Sequence, residues 1–211
     1  KDQSYFLFAT TSEQLDFLRF PIGEYFKFEV REKAKQLSLT VKDKPDSQDI
    51  CFVTKDSYRT LIEKLKPESC FKGNIVNANG EIIGEHKGIA NYTIGQRKGI
   101  GIGGNKKPLY VVDINKANNL IVLDEKKHLE KKEVQIKNIN WIAGNINRNK
   151  SIRCSARIRS TQEETPGTLI INGNEAKYIF DKNITSTSPG QACVFYLKDQ
   201  VLGGGWITKQ Q

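Results

Sequence analysis

Short runs that alternate apolar and polar side chains fill the last third of the chain, and this pattern constrains the fold most. The clearest run covers residues 151–159, Ser-Ile-Arg-Cys-Ser-Ala-Arg-Ile-Arg. Successive side chains of a β-strand point to opposite faces of a sheet. The run therefore predicts a strand with Cys154 on its buried face and three arginines together on the other: Arg153, Arg157 and Arg159.

Turn signals separate these runs at regular intervals. Asn-Gly pairs at 79–80 and 172–173, and a polar stretch at 116–119, each lie between two apolar runs, which is typical of β-hairpins. Several short strands with regular turns favour a small antiparallel β-barrel from about residue 133 to 208. Cys193 lies in one of these strands and is interpreted as a packing residue.

Helical patterns occur only earlier in the chain. Val30, Ala34 and Leu37 recur at i, i+4 and i+7 among charged residues, which predicts a helix over 27–38. A second apolar stripe lies within residues 55–65, and Pro67 ends it. The predicted fold class is therefore α+β, with short helices first and strands afterwards.

The charge balance indicates a polyanionic partner. The 211 residues include 33 Lys and Arg against 24 Asp and Glu, for a net charge of +9. A basic excess of this size favours nucleic acid, and the arginine strand face suits phosphate neutralisation. A solvated face on a lysine-rich protein explains the same residues about equally well.

The cysteines and histidines do not form a recognisable metal motif. None of the four cysteines belongs to a CxxC pair, and His86 and His128 are far apart in sequence. We therefore expect no metal site and reduced thiols in the cytoplasm. No apolar run reaches the length of a membrane span, and no signal peptide is visible. Since the chain starts at Lys1 and contains no methionine, we expect a piece of a longer or processed protein.

Cys51 lies in the run Pro-Asp-Ser-Gln-Asp-Ile-Cys-Phe at 45–52, shortly after Lys42 and Lys44. Nearby positive charge favours a reactive thiolate. An apolar Ile-Cys-Phe-Val context is more often that of a small buried hydrophobe, so the reactive interpretation is the minority one on local chemistry. Local chemistry leaves both interpretations open.

A glycine-rich stretch at 92–104 reads Tyr-Thr-Ile-Gly-Gln-Arg-Lys-Gly-Ile-Gly-Ile-Gly-Gly. Its glycines and its Arg-Lys pair suit a backbone that approaches another group closely, and a phosphate is one such group. The spacing matches neither a P-loop nor a dinucleotide-binding fingerprint. A structural loop with surface charge is at least as good an interpretation.

Five stretches together resemble the tRNA-specific 2-thiouridylase family, and their order spans nearly the whole chain. They are Lys-Asp-Gln-Ser-Tyr-Phe-Leu at 1–7, Asp-Ser-Gln-Asp-Ile-Cys-Phe at 46–52, Gly-Glu-His-Lys-Gly at 84–88, the stretch at 92–104, and Ser-Pro-Gly-Gln-Ala at 188–192 with Leu-Gly-Gly-Gly at 202–205. Many members of the family have Thr-Gly where this chain has Gln48-Asp49.

The resemblance implies a fold of three parts. Residues 1–20 and 43–56 would be a remnant of the family's catalytic, nucleotide-binding domain. Residues 21–42 and 57–130 would form a small mixed central domain, and residues 131–211 the C-terminal antiparallel β-barrel.

The resemblance also implies a function, the ATP-dependent conversion of the wobble uridine of certain tRNAs to 2-thiouridine. Cys51 would be the catalytic, persulfide-carrying cysteine, and a second cysteine would assist sulfur release, so a disulfide could form. tRNA would be the substrate, a sulfur-relay protein or cysteine desulfurase the partner, and ATP, with Mg²⁺, the cofactor. The residues implied to contact tRNA are Lys1, Asp2, Gln3, Arg157, Ile158, Arg159 and Gln191.

The family's Ser-Gly-Gly-x-Asp-Ser loop, which binds ATP, does not occur in this sequence, nor does the partner cysteine's motif. We therefore expect the chain alone to be inactive as a sulfurtransferase. The alternative from another functional class is a non-catalytic RNA-binding β-barrel with a structural Cys51.

Overall fold

The structure is a computed structural model that describes residues 2–44, 58–103, 107–144, 151–185 and 188–208. The α-helices are α1 (Ser4–Leu7), α2 (Ser12–Phe17), α3 (Lys27–Gln36) and α4 (Tyr58–Leu65). The strands are β1 (Gly73–Asn77), β2 (Ile82–His86), β3 (Tyr110–Asn115), β4 (Leu120–Asp124), β5 (Lys131–Trp141), β6 (Ser151–Arg157), β7 (Thr165–Asn172), β8 (Glu175–Ile184), β9 (Ala192–Leu197) and β10 (Gln200–Ile207). Short 3-10 turns cover Pro67–Cys70, Ile89–Asn91 and Lys126–Leu129.

The last six strands close into an antiparallel barrel in the order β10-β5-β8-β7-β6-β9. Alternating side chains fill its interior, where Tyr178, Phe180 and Phe195 are at most 1% exposed. Burying an aromatic side chain of this kind stabilises a fold by about 1.5–3 kcal/mol. Cys154 and Cys193 are also inside, so their predicted packing roles, the barrel and the α+β class are confirmed.

A second sheet, with strand order β2-β1-β4-β3, forms the central part of the chain. The predicted hairpins β1/β2 and β3/β4 are both present, and β1 and β4 join them as a parallel pair. Ile100, from the glycine-rich stretch, is buried among Ile75, Val111 and Ile121. That stretch therefore covers one face of the sheet and completes its core.

His86 is a structural residue of this sheet. It is 1% exposed, and its Nδ1 accepts a hydrogen bond from the Gly88 N–H at 3.0 Å. Its Nε2 must then carry the proton and donates to the Asn119 carbonyl oxygen at 3.0 Å. The Asn119 amide in turn donates to the Lys72 carbonyl at 2.8 Å. This chain of bonds joins β1, β2 and the β3–β4 turn.

The early helices form as predicted but bury little. Thr11 caps α2, because its hydroxyl accepts from the Gln14 N–H while the Gln14 side chain accepts from the Thr11 N–H. Neither α2 nor α3 contains a buried residue. Phe17 and Phe28 are 86% and 68% exposed, which makes this the part of the described chain with the most apolar surface.

Candidate functional site

The first residues of the chain pack against the outside of the barrel. Tyr5 and Phe8 are 7% and 5% exposed, and the Tyr5 hydroxyl donates to the Ala192 carbonyl at 3.0 Å. The Phe8 ring meets Trp206 edge to face, with 5.2 Å between centroids. The Asn140 amide donates to the carbonyls of residues 8 and 10, at 2.7 and 2.9 Å. We call residues 2–10 the N-terminal strap.

The strap covers the outer side of strand β9. Alternate residues of β9 fill the barrel, while Ala192, Val194 and Tyr196 form a second buried cluster with Tyr5 and Phe8 on its outer side. All of β9 except its last residue is therefore buried.

Arg157 joins the strap to the barrel. Its Nη1 donates to Asp2 Oδ2 at 2.6 Å, and its Nη2 donates to Glu164 Oε1 at 3.0 Å. The guanidinium carbon lies 4.9 Å from the centroid of the Tyr196 ring, in cation–π geometry. Two carboxylates and one aromatic face thus hold a single guanidinium in place.

The electrostatics of this cluster favour its charged form. The Ser4 backbone N–H, which donates to Asp2 at 2.8 Å, lowers the pKa of Asp2, and the Ser4 hydroxyl and Arg157 lower it further. Burial opposes the charge of Arg157, yet the hydrogen bond to Asp2 and the nearby negative charges raise its pKa overall. The Asp2–Arg157 pair is therefore ionised at neutral pH.

The structure places the predicted tRNA-contact residues as follows. Asp2 and Arg157 are in direct contact, and exposed Gln191 directly precedes Ala192, which binds the strap. Gln3 is exposed at the start of α1, and Arg159 is partly buried where its charge acts on Tyr5. Lys1 lies outside the described residues.

Ile158 differs from the other residues predicted to contact tRNA. It is 1% exposed and belongs to the barrel core. In this conformation it offers no surface for direct contact, because the strand alternation that turns Arg157 outward turns Ile158 inward.

Cys51, the predicted sulfur carrier, also lies outside the described residues. Burial raises the pKa of Cys154 to about 12 and raises that of fully buried Cys193 as well. Thiols with such raised pKa values are poor nucleophiles. Cys70 is partly exposed in the turn Pro67–Cys70. Neither barrel cysteine is thus suited to carry sulfur.

Three family profiles match successive parts of the chain. A tRNA methyl transferase HUP domain matches residues 1–55, a tRNA methyl transferase PRC-barrel domain residues 59–124, and an aminomethyltransferase beta-barrel domain residues 131–207. The tRNA-specific 2-thiouridylases of Rickettsia typhi and Ehrlichia ruminantium are 47% and 46% identical to it, over 99% and 98% of this chain. The chain belongs to the tRNA-specific 2-thiouridylase family. It spans 58% and 56% of the lengths of these two relatives.

The profile descriptions and the names of the relatives differ in the group transferred. The profiles are described as methyl transferase domains, whereas the relatives that match almost the whole chain are named 2-thiouridylases. We give more weight to the relatives, because they match nearly every residue at high identity. The resemblance noted from the sequence motifs is confirmed at the level of the family.

Two negative findings apply to the described part of this thiouridylase family member. Its helices include none that is both long and apolar enough to pass through a bilayer. Its His, Cys, Asp and Glu side chains form no group of three or more suited to a metal ion.

The outer face of β6 is less basic than the predicted arginine face. Arg153 forms a two-point ion pair with Asp181, and Arg157 is held by Asp2 and Glu164. Strands β5 and β8 carry two more pairs, Lys177–Glu133 at 3.1 Å and Lys137–Glu175 at 3.0 Å. Two of the three arginines predicted to form a basic face, Arg153 and Arg157, are therefore charge-compensated.

Sequence reasoning missed Glu164, Tyr196 and Asn140, which position Arg157 and the strap. One signal was available for Tyr196. Residues 192–196 read Ala-Cys-Val-Phe-Tyr without a charged residue, and an unbroken apolar run indicates a strand that is covered on both faces. The strap provides the second cover.

Proposed function

We propose that this chain provides the tRNA-binding barrel and the sulfur-carrying cysteine of a tRNA 2-thiouridylase that acts in the cytoplasm. The observation that best supports the tRNA role is the contact between Asp2 and Arg157. The two residues are 155 positions apart, and both were predicted from family motifs to touch tRNA. Their convergence on one surface is what a substrate-contact site requires.

In this proposal Arg157 acts mainly by positioning. Its guanidinium is already paired with two carboxylates, so it has little net charge to offer a phosphate. It holds the strap on the barrel through Asp2, so that Asp2 and the exposed Gln3 are fixed on the barrel surface. Polar side chains fixed in this way can hydrogen-bond to RNA phosphates, sugars and bases.

We propose that Cys51 carries the sulfur. Its thiolate would attack the terminal sulfur of a persulfide on a sulfur-relay protein or cysteine desulfurase, and the donor would leave as a thiolate. The terminal sulfur of the new persulfide would then attack C2 of the activated uridine, and the C2–O bond would break as the oxygen leaves with its activating group. A second cysteine could release that sulfur as a disulfide forms with Cys51.

ATP and Mg²⁺ are implied by the family, but the residues of this chain do not fit them. The sequence lacks a Ser-Gly-Gly-x-Asp-Ser loop, and the described residues offer no cluster of three metal ligands. We therefore assign no residue to either group and route no step through them. We propose that thiolation belongs to the longer protein, and that this chain alone binds tRNA without modifying it.

A binding experiment tests the tRNA surface. Arg157→Ala should weaken binding of labelled tRNA in fluorescence anisotropy by about tenfold, since hydrogen bonds to charged groups contribute about 1.5–3 kcal/mol. Arg153→Ala is the matched control. It removes the same charge but breaks only an exposed ion pair, so binding should change by less than about twofold. Equal losses in both variants would contradict a specific role for Arg157.

A labelling experiment separates the enzyme from the non-catalytic RNA-binding module. The chain is incubated with a cysteine desulfurase, its relay protein and radiolabelled cysteine, and protein-bound persulfide is measured. Cys51→Ser should abolish the label, whereas Cys70→Ser should retain it. Cys51 is structural if the Cys51→Ser chain retains the label, or if the full-length enzyme that carries Cys51→Ser still thiolates tRNA.

A further inference from the structure

We propose that the turn formed by residues 96–99 is a second contact site for the RNA backbone, in which Arg97 and Lys98 bind phosphates. This inference rests on the proposed function, because it takes tRNA as the ligand. It concerns the central sheet, whereas the residues discussed above lie on the barrel and its strap.

The base of this turn is rigid. The Gly95 N–H donates to the Val111 carbonyl at 2.8 Å, and the Val111 N–H donates to the Gln96 carbonyl at 3.0 Å. These two bonds attach the loop to β3. On the other side of the turn, Ile100 is 6% exposed in the core of the sheet. The residues between Gln96 and Ile100 are therefore fixed at both ends.

The side chain of Gln96 stabilises the turn through two hydrogen bonds, which we call the Gln96 brace. Its Oε1 accepts a hydrogen bond from the Thr93 N–H at 3.0 Å, and its Nε2 donates to the Lys98 carbonyl at 3.0 Å. One neutral side chain thus ties together both sides of the turn that carries Arg97 and Lys98. A charged group displayed on a fixed backbone loses less entropy when it binds than one on a mobile loop.

The space beside the turn is open. Gly99 and Gly101 have φ of +73° and +82°, which favour glycine. Among the described residues, a Cβ at Gly101 or Gly103 would meet no atom within 4 Å, and one at Gly99 would meet only the Gln96 amide, at 3.9 Å. No described side chain therefore crowds the backbone at these three glycines, which leaves room for a polyanion to approach it.

The charge of the turn is not compensated in the way that the charges of Arg153 and Arg157 on the barrel are. Arg97 and Lys98 are exposed, and neither forms an ion pair with a residue that the structure describes. The barrel cations Arg153 and Arg157, by contrast, each face a carboxylate. Adjacent unpaired cations on a rigid turn suit neighbouring phosphates, which are the main source of affinity for nucleic acids.

The test is a salt titration of tRNA binding by anisotropy. In Arg97→Ala/Lys98→Ala, affinity at low salt should fall by about tenfold, and the slope of log K against log salt should flatten by roughly 1.4–1.8 units, at about 0.7–0.9 per phosphate. The double variant Lys116→Ala/Lys126→Ala removes the same charge from exposed lysines elsewhere and should leave the slope within about half a unit of the wild-type slope. Equal effects in the two double variants would overturn the proposal.

Gln96→Ala tests the positioning role of the brace. It leaves the charge unchanged, so the salt slope should stay the same while affinity falls by about threefold, because the turn must be ordered on binding. Unchanged affinity would show that the brace plays no part.

If the wild-type chain binds no tRNA at all, the proposed function fails. If it binds and Arg157→Ala weakens binding while Arg97→Ala/Lys98→Ala does not, only this inference fails.

Discussion

A single guanidinium connects two parts of the chain that sequence profiles assign to different domains. Arg157 belongs to the barrel, whereas its partner Asp2 lies within the segment matched by the HUP profile. The side chain of Arg157 is 19% exposed and that of Asp2 is 49% exposed, so water reaches the pair from the Asp2 side. The strength of the link therefore depends on the ionisation of Asp2.

The first prediction at this scale concerns pH. The Ser4 N–H, which belongs to the strap itself, lowers the pKa of Asp2 below its ordinary value of 3.8, and Arg157, which requires docking, lowers it further. The contribution from Arg157 stabilises the docked strap above the ordinary pKa and is lost as the pH falls through the lowered value. Phe8 packs on Trp206, so release of the strap should change tryptophan fluorescence in acid. Asp2→Asn should lack this titration step. Far-UV circular dichroism must stay constant over the same range, and an identical step in Asp2→Asn would refute the assignment.

At the scale of elements, β10 shows why a glycine run is needed in a strand. A Cβ on Gly204 would lie 2.8 Å from the Phe8 ring and 2.8 Å from the Cys193 carbonyl oxygen. A Cβ on Gly205 would lie 2.7 Å from Ile136. The missing side chain of Gly204 thus leaves room for Phe8 of the strap outside the barrel. The missing side chain of Gly205 leaves room for Ile136 inside it.

Gly204→Ala should destabilise the chain by about 1–3 kcal/mol, the usual cost of overpacking a close contact. Urea unfolding followed by circular dichroism measures this. Gly144→Ala, at a position where a Cβ meets no atom of a described residue within 4 Å, should change stability by less than about 0.5 kcal/mol. In a double-mutant cycle, Phe8→Ala should relieve part of the cost of Gly204→Ala. Strict additivity would show that the strap does not rest on Gly204.

The elements themselves were largely predictable, because local signals determine them. Asn79-Gly80 and Asn172-Gly173 mark hairpin turns, and the alternation at 151–157 marks β6. The ion pair between Asp2 and Arg157 was not predictable from local chemistry, since no local pattern relates residues 155 positions apart. The family motifs named both residues, but neither the motifs nor the alternation indicated that they bind each other.

At the scale of the whole molecule, charge and apolar surface are unevenly distributed. Four cations of the barrel strands are paired with carboxylates, namely Lys137, Arg153, Arg157 and Lys177, whereas Arg97 and Lys98 are unpaired among described residues. Four exposed phenylalanines lie in and beside α2 and α3: Phe17, Phe20, Phe26 and Phe28. The net charge of +9 predicted a polyanionic partner but not where the uncompensated charge lies. The predicted domain boundaries at residues 20, 42, 56 and 130 stay a proposal. The strap adds a direct contact between the first predicted domain and the barrel.

The strap also constrains the order in which the chain can assemble during synthesis. Tyr5 leaves the ribosome well before the carbonyl that it binds, because Ala192 follows it by 187 residues. Phe8 likewise contacts residues that are synthesised much later: Asn140, Gly204 and Trp206. Contacts of such sequence separation form slowly, because a long loop must close first. The strap can therefore dock only after the last two strands have emerged, so its closure marks completion of the barrel rather than its beginning.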